Sequence, residues 1–200
     1  SVDVDISNYL ELLNLLSEVA ASGENQDSVL QATVRLIQRL VQVERCSILL
    51  LDTDAAEMRM AACSGIPEER RDEIHVALGE GIAGRVAQSG EPVLSQNVSE
   101  VAPERANDPK KYTTSSFISA PIRYGERTLG VINITNKYNR SALNEQDLAL
   151  ILSVARFLGL VLERARLVEG ARAQHAHLLR TLDTLPLGVV TVAADMTLLM

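Results

Sequence analysis

The feature that most constrains this chain is a helical period that keeps running. From Asn144 to about Leu185 apolar residues recur at three- and four-residue steps, and the run meets no proline before Pro186, which cannot continue a helix. Some forty residues at 1.5 Å each make a rod of about 60 Å, more than one small domain covers. Positions Ile151, Val154, Leu158, Val161, Ala165, Val168, Arg172, His175, Leu179 and Leu182 alternate steps of three and four, and eight of these ten are apolar. That is a heptad seam, whose natural partner is the same helix of a second copy. The spacing predicts that Ile151 to Val161 pack on the chain's own domain and that the later positions pair two chains as a homodimer. Arg172 and His175 put a polar step into the seam, which permits two packings there. Leu158→Glu or Leu179→Glu is expected to yield monomers.

Upstream the period changes several times. Ser7-Asn8 cap a helix within residues 1–23, and Asp27 starts a second one running to about Val41 with Val29, Leu30, Val34 and Ile37 on one stripe. Cys46 to Leu51 is a continuous apolar run too short for a good helix, and reads as a strand covered on both faces. Met58–Cys63, His75–Leu78 and Glu91–Leu94 read as further strands. Between the last two lies Gly79-Glu80-Gly81-Ile82-Ala83-Gly84, entering a short helix that leaves at Gly90 in a left-handed conformation. Residues 97–114 are polar, with Pro103 and Pro109, and form a long loop of the kind that often carries function. Ser116–Tyr124 and Arg127–Thr135 form a hairpin around Gly125-Glu126. Strands joined with little βαβ alternation indicate an α+β fold around an antiparallel sheet.

Charge and composition exclude several classes. With 26 acidic against 19 basic residues and a net charge of −7, the chain lacks the clustered Lys and Arg that a nucleic-acid binder needs. Cys46 and Cys63 are the only cysteines; they lack CxxC spacing and read as buried thiols rather than a metal or redox pair. His75, His175 and His177 are too separated for a metal site. The glycine-rich stretch is no P-loop, because no Gly-Lys-Ser/Thr follows. Neither a Ser-His-Asp set nor an HExxH is present, so the chain is expected to be non-catalytic. No apolar stretch is long enough to span a bilayer and no signal peptide is evident, which predicts a cytoplasmic fragment without membrane contact.

Several stretches, in this order, resemble a GAF domain: Glu44–Asp52, Gly79–Ala87, Ser119–Ile122, Leu129–Asn133, and Asn136-Lys137 followed by Leu143 and Asp147. The resemblance covers residues 24–165 as the sensor domain. It implies a six-stranded antiparallel sheet with flanking helices on one face, a small-molecule pocket on the other, and a long C-terminal signalling helix over 145–185. On that footing Gly81, Ile82, Ala83 and Arg85 at the helix entry, with Tyr112 and Thr114 in the loop, are the candidate contacts for a small molecule or nucleotide. The residues name no cofactor. Asn136, Lys137 and Asp147 resemble part of the motif of cyclic-nucleotide-binding members, in which the Lys and Asp pair to hold the pocket shut. The motif's Phe is Leu143 here and the acid after its Asp is Leu148, so a structural lock is the favoured reading. Leu182 to Asp195 is similar to the opening of a PAS domain, of which 186–200 is only the start. Together these imply a sensor or dimerisation module relaying a signal to a PAS domain and an output such as a histidine kinase or diguanylate cyclase; the alternative is a ligand-free dimerisation unit, and a free methionine sulfoxide reductase is disfavoured by the buried cysteines.

Overall fold

A computed structural model of the 200-residue chain describes residues 14, 25–67, 71, 73–97, 116–184, 191–192 and 198–199. The helix expected within 1–23, apart from helical Asn14, lies outside these residues, as do nearly all of the loop 97–114 and the stretch Leu187–Val190. Helix α1 spans Gln26–Val41, and its N-cap Asn25 accepts a hydrogen bond from the Asp27 amide. Strands β1 (Val43–Asp52), β2 (Glu57–Ser64) and β3 (His75–Ala77) follow, then helix α2 (Gly81–Ser89) and β4 (Val93–Ser95). Beyond residues 98–115 come β5 (Phe117–Tyr124), β6 (Arg127–Lys137) and helix α3 (Glu145–Thr184). The strands make one antiparallel six-stranded sheet in the order β3-β2-β1-β6-β5-β4.

Period-two alternation sorts the central strands onto two faces. Cys46 and Ile48 of β1, Ile132 and Ile134 of β6, and Ile118, Ala120 and Ile122 of β5 form one face, packed against Leu30, Val34 and Ile37 of α1 and Ile151, Val154 and Leu158 of α3. Each of these large aliphatic side chains contributes about 1.5–3 kcal/mol by leaving water. Leu49, Met58, Phe117 and Val131 face the other way and pack against Ile82, Ala83, Val86 and Ala87 of α2. Cys46 to Leu51 is therefore covered on both sides, as its unbroken apolar run requires. Pro121 sits in β5 just past the residues that pair with β4, where its missing N–H breaks no ladder.

Two local devices set the path of α3. Gly159 lies where the helix crosses the end of β5, and an added Cβ would land on the Arg123 carbonyl oxygen. At the start, the Asn144 carboxamide accepts from the Gln146 and Asp147 amides while the Asp147 carboxylate accepts from the Asn144 amide at 2.9 Å. This reciprocal arrangement is a capping box with Asp in the usual Glu position. The chain divides after Glu163 into two units. In the first, Ile151, Val154 and Leu158 are buried in the domain's own core, which corrects the expectation for Leu158: a charge there opposes folding instead of parting two chains. In the second, α3 continues as Arg164–Thr184, and Thr191–Val192 (β7) pairs antiparallel with Leu198–Leu199 (β8).

Candidate functional site

On the α2 side of the sheet the strand register lays down three cross-strand rows. Arg45, Thr135 and Phe117 form one, Ser47, Asn133 and Ser119 the next, and Leu49, Val131 and Pro121 the third. The outer two rows are mixed or apolar, whereas the middle row is polar throughout. Directly opposed residues on one face have Cβ atoms about 5 Å apart, so the three side chains stand shoulder to shoulder in the centre of the sheet. Above this floor lies a cavity of about 140 Å³, walled by Ile66, Ile74 and Val76 on one side and Ile82 and Ala83 of α2 on another. Arg45, Ser47, Asn133 and Thr135 supply its polar atoms.

The polar row is unsatisfied from within. Ser119 is fully buried and its hydroxyl has no hydrogen-bond partner. Among the described residues no hydrogen bond reaches the side chain of Ser47 or Asn133 either, although Ser47 is only 8 % exposed. For Ser119 that costs about 1–3 kcal/mol, whereas the Ser47 and Asn133 side chains open onto the cavity. Thr135 differs, since its hydroxyl donates to the Ser116 carbonyl at 3.2 Å, and Arg45 has a partner of its own. Helix α2 opens onto the cavity with Glu80 as an N-cap that makes no side-chain hydrogen bond, leaving first-turn N–H groups of the kind that attract acceptors.

Lys137 and Asp147 lie beside the site. The Lys137 ammonium is 2.8 Å from the Asp147 carboxylate, and both side chains are 13 % exposed. The oxygen that meets the lysine is the one that accepts from the Asn144 amide, so a single atom fastens the end of β6 to the start of α3. Asn136, buried and next to Lys137 in sequence, takes a left-handed backbone with φ 62°, a conformation Asn tolerates better than most residues. The neighbouring Leu143 is held by its backbone, its amide donating to Ser116 and its carbonyl accepting from Gln96.

The candidate ligand contacts read from the sequence divide. Ile82 and Ala83 line the cavity; Gly81 begins α2 with φ 57°; neither Gly81 nor Arg85, which is exposed and has a partner of its own, is in the wall. Tyr112 and Thr114 lie outside the described residues. The structure adds Arg45, Ser47, Phe117, Asn133 and Thr135, which alternation along β1, β5 and β6 would have placed on one face. Burial pushes the Cys46 thiol far above its ordinary range, and the nearby Cys63 adds to the effect, so Cys46 is a core thiol and not a nucleophile. Among the described residues no cluster of His, Cys, Asp or Glu could hold a metal ion, and no helix is long and apolar enough to cross a membrane.

Comparison with known proteins gives this arrangement a setting. A family model described as GAF domain matches residues 23–163. The chain is 26 % identical over 158 residues to the nitrogen fixation protein VnfA of Azotobacter vinelandii, covering 74 % of this chain and 30 % of that protein. It is 27 % identical over 183 residues to the probable 3′,5′-cyclic phosphodiesterase pde-5 of Caenorhabditis elegans, covering 84 % of this chain and 25 % of that one. The chain thus spans less than a third of either relative. Among solved structures, the GAF domain from an Acinetobacter phosphoenolpyruvate-protein phosphotransferase superposes with a TM-score of 0.67 at 25 % identity, covering 78 % of this chain and 93 % of that one.

Proposed function

Because this chain belongs to the GAF domain family, we propose that it is a sensory module that takes a small molecule over the Ser47–Asn133 floor and relays its occupancy through α3. The relay runs to a second copy alongside and to a PAS domain that opens near Leu182. The observation that carries this reading is the change of burial along one helix. Ile151, Val154, Leu158 and Leu162 are buried in the domain, whereas beyond Glu163 Leu167, Val168, Leu178 and Leu179 are exposed at 56 %, 43 %, 61 % and 50 %. A helix that keeps its apolar period after leaving its own core presents a stripe suited to a partner. A second copy satisfies it because the same stripe, placed in parallel, is self-complementary. The cytoplasm is the compartment that suits such a relay.

The test is oligomeric state. Leu179→Glu and Leu178→Glu together are expected to convert a dimer to a monomer in sedimentation while leaving the far-ultraviolet spectrum of the sensor domain unchanged. Dimers that persist with both substitutions in place refute the pairing. A second reading, a ligand-free dimerisation unit, is favoured by the size of the cavity. At about 140 Å³ it is well below the roughly 300–1,000 Å³ of pockets that hold drug-sized ligands. The two readings share the dimer and differ in whether any small molecule raises the melting temperature.

A further inference from the structure

The polar row at the base of the cavity selects a chemistry. Resting on the sensory reading above, the geometry points to a compact, uncharged ligand that presents an amide-type edge, an N–H beside a C=O, to Asn133 and Ser47. A lactam, a cyclic urea or a free nucleobase has that edge.

Three observations converge on this class. First, Asn133 and Ser47 are opposed across β6 and β1, both line the cavity, and neither side chain hydrogen-bonds another described residue. A carboxamide carries donor and acceptor side by side, and its complement is another amide edge, which takes both at once. A carboxylate would satisfy only the donor, and an ammonium only the acceptor. Second, the rest of the lining disfavours charge. Ile74, Val76, Ile82 and Phe117 are apolar, so an ion would lose its hydration without full replacement. Arg45, the one basic residue among the described residues of the lining, is already partnered. Third, the space is small. A volume of about 140 Å³ is close to that of an engineered cavity of about 150 Å³ that takes benzene, which suits a single ring. Ser47 is more than nine-tenths buried and faces this space; its unmet hydroxyl is the position where a third hydrogen bond from the ligand falls.

The experiment uses the whole chain and three sets of probes at 10 mM. Uracil, hydantoin and 2-piperidone represent the uncharged amide edge, benzoate and glutarate the carboxylates, and 3′,5′-cyclic GMP the intact nucleotide. Melting temperature is followed by differential scanning fluorimetry and binding by titration calorimetry. At least one amide-edge probe is expected to raise the melting temperature by about 3–5 °C, the size produced when a ligand is present at tens of times its Kd. Asn133→Leu, which keeps the side-chain volume, is expected to abolish the shift, and Asn133→Asp, which keeps the acceptor and loses the donor, to weaken binding at least tenfold. Thr128→Val, on the same strand and away from the cavity, should leave it intact. A shift from carboxylates or cyclic GMP alone would overturn the ligand class and leave the sensory reading standing. An amide-edge shift that survives Asn133→Leu would place the binding elsewhere and overturn the assignment of this row. Silence from every probe would overturn both.

Discussion

Single atoms decide how the domain is fastened. One Asp147 carboxylate oxygen serves the Lys137 ammonium and the Asn144 amide together. Removing the lysine leaves the cap in place, so Lys137→Met is expected to cost about 1 kcal/mol, at the upper end for a partly exposed pair. Asp147→Ala loses the pair and half the capping box and is expected to cost about 2 kcal/mol; chemical denaturation of the two variants resolves the difference. Equal losses would show that the lysine acts alone. Cys46 makes a prediction of another kind. Its folded-state thiol is raised by burial, so the unfolded chain gives up that proton first as pH rises. Its contribution is whole below about pH 8.5 and declines above it, by about 1.4 kcal/mol per pH unit. Stability measured from pH 8 to 10 should fall less steeply in Cys46→Ala than in the parent chain. The Lys–Asp pairing was legible from the resemblance. The polar row was not, because a lone Ser or Asn in a strand reads as a solvent-facing position until the register shows that Ser47, Asn133 and Ser119 share one line across three strands.

Among the elements, the strands were the most readable and their ends the least. A continuous apolar run placed β1, and turn signals placed β2, β5 and β6 beside it, each to within three residues at either end, since a strand buried on both faces has little choice of side chain. Backbone pairing carries β6 on through Asn136 and Lys137, where the side chains had already turned polar. Helix α3 is constrained most tightly at Gly159. There the helix backbone meets the Arg123 carbonyl with no room for a methyl group. Gly159→Ala would raise helix propensity by about 1 kcal/mol if the site were open. Instead it is expected to destabilise the domain by at least about 2 kcal/mol, because packed backbone yields less than a side chain does. A thermal melt unchanged or raised by Gly159→Ala would mean that the two segments are not in contact.

For the chain as a whole, one periodic pattern serves two different surroundings. The spacing of apolar residues is alike on both sides of Glu163, so the heptad count alone gave no means of telling where packing on the sheet ends. Burial supplies it. Leu158 and Leu179 occupy equivalent places in the repeat, yet one is fully buried in the domain and the other is half exposed. The same substitution therefore has two signatures: Leu158→Glu should unfold the sensor domain, while Leu179→Glu should leave it folded and shift the association equilibrium.

That bare meeting of helix and strand at Gly159 has a mechanical consequence. Elsewhere flexible side chains lie between α3 and the sheet and can take up small movements by changing rotamer. At this crossing no such cushion exists, so a slide or tilt of the helix there has to be matched by β5 itself, the strand that also carries Phe117 and Ser119.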